Sequence, residues 1–318
     1  MIQTVNGTID SGELGRTLMH EHLVAGLTGW ETEPLSASPE RRELIAKCVD
    51  RVEEMRSGGF SSMLDPCPMD LGRDVTIAAE VAARTGFNII VATGLYNAEL
   101  GAPYWRLRQT FDPDMHLRLA ELFVAELTEG VGDTGLRAGV IKVATGIGVI
   151  TPYERAVLEA AAIASNETDA PITTHTDAVL GDEQAAILKS FGVPSHRIII
   201  GHCCGSRDHA YHKRIVDEGT YIGFDRFGSY DYATDEDRLA SLVAILRTGA
   251  VRQVIVSHDS LVCSRGLPGV VTHSPLTFTR KIAPMLQAYG FSDEEVDIML
   301  VENPKRYFDD IPFDRFRG

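Results

Sequence analysis

The chain has 318 residues, 44% of them hydrophobic and 24% charged, proportions that exclude disorder and a fibrous repeat. Lys and Arg number 30 against 45 for Asp and Glu, and the resulting net charge of −15 argues against nucleic acid or an anionic membrane and for a small-molecule partner. The length fits two domains or one large α/β barrel.

In chain order, Asn6-Gly7 between Thr4-Val5 and Thr8-Ile9 predicts a short β-hairpin. No secretory pattern precedes it, and no apolar run approaches the ~20 residues of a membrane span, so a cytoplasmic protein is expected. The rhythm then changes. Short runs rich in Val and Ile at 17–20, 60–65, 88–93, 139–144, 171–175, 197–202, 220–224 and 253–257 predict strands. Helical periods at 39–57, 73–85, 113–129, 182–191, 208–218, 235–248 and 275–289 separate or follow them. Ser38-Pro39-Glu40 and Asp112-Pro113-Asp114 supply start signals, Thr151-Pro152-Tyr153-Glu154 a capping box, and Ser292-Asp293-Glu294-Glu295 caps a last helix. Eight strand–helix units without a linker predict one (β/α)₈ TIM barrel over 1–318, with an N-terminal hairpin and a C-terminal helix. A doubly wound open sheet would need a Gly-rich turn after the first strand, where His20-Glu21-His22 stands instead. The five cysteines are odd in number and lack Cys-x-x-Cys spacing, so they read as thiols rather than disulfides or a zinc site.

In such a barrel, catalytic groups sit at the C-terminal ends of the strands. The awkward side chains of this sequence fall there: His20 and His22 on strand 1, Lys142 on strand 4, His175 on strand 5, His202 on strand 6, Asp225-Arg226 on strand 7 and Asp259 after strand 8. Residues two apart on a strand share a face, so His20 and His22 both point into the barrel mouth while Glu21 points away. One His-x-His pair is weak evidence, since a pair of hydrogen-bonded core histidines looks the same. Five such intrusions at one rim are explained together by a metal cluster. Lys142 inside Val140-Ile141-Lys142-Val143 is costly to desolvate, so burial lowers its pKa toward a neutral amine. The alternative is that it snorkels to the rim or pairs with Asp65 or Asp259.

These residues resemble the phosphotriesterase family of the amidohydrolase superfamily. The resemblance runs through 15–22, 133–139, 141–145, 173–176 and the closing Glu302-Asn303-Pro304, nearly the whole chain. It implies two divalent metal ions bridged by a carbamate on Lys142, formed with CO₂, and by a hydroxide. One ion would take His20, His22 and Asp259, the other His175 and His202. Zinc, cobalt, manganese or iron would suit these donors. The ions would bring a shared water toward ionisation at neutral pH, and Asp259 would accept and return the proton. The resemblance also implies a homodimer.

Two details separate branches of the family. Efficient phosphotriesterases typically carry Trp after the strand-3 Thr-Gly-Leu and His after the strand-7 Asp, whereas this chain has Tyr96 and Arg226. That pattern resembles the phosphotriesterase-like lactonases and implies that Tyr96 and Arg226 contact substrate. Alternatively, Tyr96 merely packs and Arg226 pairs with Asp225 or Asp231. The segment 261–271 would line an acyl-chain channel or pack on the barrel or a partner subunit. His258 faces away from the site, and His116, His196, His209, His212 and His273 are expected at the surface. The activity implied is hydrolysis of N-acyl homoserine or other aliphatic lactones, with slow cleavage of phosphotriesters. Alternatives are a dedicated phosphotriesterase, an esterase or amidase, and a non-catalytic binding protein.

Overall fold

The computed structural model describes residues 1–32, 40–267 and 273–313. The hairpin pairs β1 (Ile2–Thr4) with β2 (Gly7–Ile9), but Thr4 faces Gly7, so Val5 and Asn6 form the turn, one residue earlier than the Asn-Gly signal suggests. Val5 accounts for the shift: its side chain is buried and its N–H donates to Ile89 O at 3.0 Å, docking the turn on the barrel.

Strand 1 is split into β3 (Thr17–Leu18) and β4 (Glu21–Gly26). Then follow β5 (Ser62–Asp65), β6 (Asn88–Gly94), β7 (Val140–Ala144), β8 (Ile172–His175), β9 (Ile198–Ile200), β10 (Tyr221–Phe224) and β11 (Val254–Val256). The parallel ladder runs β11-β10-β9-β8-β7-β6-β5-β3. Closure comes from a strand the sequence did not reveal. Residues expected to form a loop make β12 (Ser260–Arg265), which runs parallel to β4 with Ser260 opposite Glu21 and Arg265 opposite Gly26. The protein is thus a (β/α)₈ barrel in which strands 1 and 8 are each broken where they meet. Beyond Leu267, residues 268–272 of the expected loop lie outside the described residues.

Helices α1 (Arg41–Ser57), α2 (Val75–Thr85), α3 (Pro103–Gln109), α4 (Met115–Thr128), α5 (Pro152–Thr168), α6 (Gly181–Ser190), α7 (His209–Asp217) and α8 (Asp235–Leu246) surround the barrel. The expected cap of α1 at Ser38-Pro39 lies outside the described residues. The box at Thr151 and Glu154 forms, and α5 buries Val157, Ala161 and Ala164 against the sheet. Helix α3 has no buried residue, which is why no apolar period announces it. Toward the C-terminus, α9 (Ala283–Ala288), α10 (Asp293–Asp297) and α11 (Asn303–Phe308) follow. One π turn precedes α9 at Phe278–Ile282 and another precedes α11 at Ile298–Glu302. Pro284 and Pro304 sit just after these turns; each lacks an N–H and crowds the carbonyl four residues back, which favours a local widening.

The main apolar core lies between sheet and helices, and a second cluster of Met19, Leu64, Ile90, Val140, Ile199 and Ile255 fills the barrel. At Gly94 a side chain would collide with the Lys142 carbonyl, so only glycine permits this approach of strands 3 and 4. Among the described residues no helix is long and apolar enough to cross a membrane.

Candidate metal centre

The breaks in strands 1 and 8 lie at the C-terminal mouth of the barrel. Asp259 adopts φ 53° and His202 φ 60°, left-handed conformations that cost a non-glycine residue ~1–3 kcal/mol and persist only where neighbours enforce them. The Asp259 N–H donates to His20 O at 2.9 Å, and the His202 N–H donates to Asp225 Oδ1 at 2.9 Å.

Glu21 supports this corner from behind. Buried and facing away from the mouth, it accepts from Ser257 Oγ (2.8 Å), His258 N (3.0 Å), His258 Nδ1 (2.7 Å) and Ser260 N (3.0 Å). Its donors flank Asp259 on both sides. His258 Nε2 accepts the Phe278 N–H at 3.0 Å, so its proton sits on Nδ1, toward Glu21. Burial pushes the Glu21 carboxyl up, but His258 and these donors together hold it below the usual value. Glu21→Ala would orphan the whole set and is expected to cost about 3–5 kcal/mol of stability, read as a fall in the urea midpoint. An unchanged midpoint would mean that closure does not depend on this carboxylate.

Three rings aim one nitrogen inward. His20 Nε2 lies 3.6 Å and His22 Nε2 3.2 Å from Asp259 Oδ1, and His202 Nε2 lies 3.8 Å from Asp259 Oδ2. Their outer nitrogens are held by carboxylates. Asp225 meets His20 Nδ1 and His202 Nδ1, each at 3.1 Å, and Asp65 meets His22 Nδ1 at 3.2 Å. Burial pushes Asp225 up, but His202 and His20 hold it well below the usual range, so it is ionised and accepts both Nδ1 protons. The Nε2 lone pairs of His20 and His202 therefore face the mouth. A carboxylate on the outer nitrogen is the arrangement that orients a metal-binding imidazole and raises its basicity.

The fourth histidine of the site, His175, has different partners. His175 Nε2 is 3.2 Å from Asp177 Oδ1, and its Nδ1 is 3.1 Å from Tyr96 Oη. Its ring centroid stands 4.6 Å from that of His202. Burial lowers His20, lowers His175 to about 4, and lowers His202 well below its ordinary value, leaving these three neutral. His22 goes the other way: burial lowers it, but hydrogen bonds to Asp259 and Asp65 raise it well above the ordinary value. Positive charge is thus favoured between His22 and Asp259.

Lys142 is fully buried, with Nζ 3.3 Å from His20 Nε2 and donating to Thr174 O at 3.2 Å. Neither Asp65 nor Asp259 pairs with it, and it does not reach the rim. Burial pulls its pKa down to about 8. Arg226 pairs through Nε with Asp259 Oδ2 at 2.9 Å, rather than with Asp225 or Asp231, and lies 5.4 Å over the Tyr232 ring. Its Nη1 is buried without a hydrogen-bond partner.

The six expected ligands and Tyr96 and Arg226 therefore surround one mouth. His20, His22 and Asp259 offer ligand atoms within 4.8 Å of one another. Neutral His20, His175 and His202, an ionised Asp259 and a lysine with a depressed pKa form a donor set suited to divalent cations. The outer carboxylates Asp65, Asp177 and Asp225 and the corner support Glu21 were not singled out as site residues by sequence reading. The position of Asp65 and Asp225 at strand ends was the available signal.

Other residues depart from expectation. His212 is buried, with Nε2 2.9 Å from Cys203 O, instead of lying at the surface, and half-buried His273 meets His258 O at 2.6 Å. All five cysteines are free, and burial pushes Cys204 up to about 12 and Cys203 well above its usual value, which suits packing rather than nucleophilic attack.

Comparison with known proteins agrees with this architecture. The model of the phosphotriesterase family matches residues 1–308. A phosphotriesterase homology protein of Mycobacterium tuberculosis is 34% identical over 97% of both chains. An aryldialkylphosphatase of Saccharolobus solfataricus is 30% identical over 95% of this chain and 97% of its own. A mutant of a PTE-like lactonase from Deinococcus radiodurans superimposes with a TM-score of 0.93 at 35% identity, covering 97% of this chain and all of the other. With a family match across almost its full length, the chain belongs to the phosphotriesterase family and is a metal-dependent, phosphotriesterase-like hydrolase.

Proposed function

We propose that the protein opens lactones, N-acyl homoserine lactones or other aliphatic lactones, and cleaves activated phosphotriesters slowly as a side activity. In this reading one divalent ion is held by His20, His22 and Asp259 and a second by His175 and His202. Lys142, once carboxylated, would be an anionic ligand for both, and zinc, cobalt, manganese or iron would suit the donors. When bound, such a pair supplies Lewis acidity and lowers the pKa of water enough to furnish a nucleophile near neutral pH.

The chain's own residues supply the rest. Asp259 would be the proton acceptor of this reading: burial pushes it up, but His202 and Arg226 keep it well below the usual carboxylate range, so it stands ionised and able to accept. Returning that proton to the ring oxygen would let the opened chain leave as an alcohol. The observation that carries the lactone reading is the buried, unpartnered Nη1 of Arg226, a fixed cationic donor at the mouth with hydrogen-bonding capacity to spare for a carbonyl or nascent carboxylate. Tyr96, its hydroxyl beside His175, would border the same pocket. The likeness to a PTE-like lactonase supports this reading.

Metal-loaded enzyme assayed against lactones of graded chain length and an activated phosphotriester is expected to give its highest kcat/KM on a lactone. Efficient cleavage of a phosphotriester or amide with no lactone opened would defeat the assignment while leaving the metal centre intact.

A homodimer belongs to the same reading. Tyr104, Leu107 and Phe111, in and after α3, are exposed, as are Ile147 and Val149 before α5, and Gln109 Nε2 ties α3 to Pro152 O at 2.6 Å. A second copy covering this apolar face would explain it. Sedimentation showing only monomer at micromolar concentration would count against it.

A further inference from the structure

Cys67 has no part in the hydrolytic site. It follows Asp65 and Pro66 beyond β5, is buried, and donates its thiol proton to Leu71 O at 3.1 Å. Yet the ligand atoms of His22, Asp65 and Cys67 lie within 4.8 Å of one another. Asp65 Oδ1 accepts the Cys67 N–H at 3.1 Å and lies 3.2 Å from His22 Nδ1. The His22 ring therefore stands between two donor sets. Nε2 faces Asp259, and Nδ1 faces Asp65 on the flank that also carries the thiol.

We propose that His22, Asp65 and Cys67 form a second kind of metal site, for a thiophilic divalent cation such as Cd²⁺ or Zn²⁺ in excess, and that filling it inhibits the enzyme. One sulfur, one nitrogen and one oxygen donor in a buried cluster suit a borderline or soft ion. Coordination replaces the S–H bond by a sulfur–metal bond, and the displaced proton passes to solvent. Inhibition follows from the chemistry of the ring. A neutral imidazole has one nitrogen with a free lone pair. A cation on Nδ1 leaves only Nε2 for the ring proton, so the bond that Nε2 would make to the hydrolytic ion breaks as the proton takes its place and His22 is withdrawn from the Asp259 side. The inhibitory effect rests on the reading of His22 as a ligand of the hydrolytic centre; binding at the flank does not.

The test adds Cd²⁺ to cobalt-loaded enzyme and follows both the thiolate-to-cadmium charge-transfer absorption in the ultraviolet and the remaining hydrolysis. The wild-type protein is expected to gain the absorption as activity falls. Cys67→Ser is expected to keep its basal activity, to lack the absorption, and to need on the order of 10–100-fold more Cd²⁺ for half-inhibition. No absorption in the wild type, or the same absorption in Cys67→Ser, overturns the site. Absorption that saturates without loss of hydrolysis overturns its inhibitory role. Because the absorption is read without substrate, the site stands or falls independently of the lactone assignment.

Discussion

Lys142→Ala is expected to eliminate hydrolysis, with a loss beyond the ~10–100-fold that removal of an outer partner of a metal site costs, and with reduced metal content. The barrel should survive, because the lost side chain makes only two close polar contacts, one to a ring and one to a carbonyl. The native lysine carries a second, pH-dependent expectation. Only a neutral amine attacks CO₂, and with a pKa lowered to about 8 the neutral fraction rises about fivefold between pH 7 and pH 8. Stripped enzyme given metal at a fixed concentration of dissolved CO₂ should therefore regain activity faster at pH 8 than at pH 7. The stability sign follows from the same shift. Between about 8 and the ordinary value of 10.5 the unfolded chain binds more protons at this position than the folded one, so its contribution to the stability of metal-free protein rises with pH across that window. Full activity and full metal content in Lys142→Ala would exclude the carbamate bridge.

Asp259→Asn is the second large effect. An amide accepts no proton at neutral pH, and loss of a positioned acid–base group typically costs 10²–10⁴-fold. The drop should appear in kcat, because Arg226 remains available to substrate. A second consequence concerns the metal-free protein. Asp259 is the ion-pair partner of Arg226 Nε, and His20, His22 and His202 all lie within 3.8 Å of its carboxylate. Neutralising it leaves a buried guanidinium uncompensated, so the stripped variant should also unfold at lower urea concentration than stripped wild type. Wild-type kcat in the metal-loaded variant would remove Asp259 from the proton path.

The positions that gather at the mouth were legible because two rules overlap in them. Strand periodicity fixes where the C-terminal ends fall, and a histidine or lysine at such an end is costly enough to need a reason. Lys142 is the strongest case, since it stands among four apolar neighbours in sequence. What surrounds the ligands was less legible. The sequence offers Asp65 only as a partner of Lys142 and Asp225 only as a partner of Arg226, and it is the fold that shows which ring each one holds. The ion pairs offered as the alternative role of Arg226 are to near neighbours in sequence, yet the partner it has, Asp259, lies 33 positions away. The hairpin moved by one residue because Val5 is anchored on Ile89, a tertiary contact that outranks the Asn-Gly preference. β12 was hidden by Asp259 itself, whose left-handed backbone interrupts strand 8 and makes the following apolar residues resemble a loop.

That interruption gives the barrel a seam. Elsewhere around the ring each strand pairs with its neighbour without a break, but strands 1 and 8 meet through a kink, a serine hydroxyl and one carboxylate before the β4–β12 pairing takes over beyond them. His20 and His22 stand on one side of the seam and Asp259 on the other. An ion shared by these three would clasp the two ends of the sheet, making it a keystone of the cylinder as well as a reagent. Its affinity and the barrel's resistance to opening would then be two measures of one linkage, each strengthened by the other.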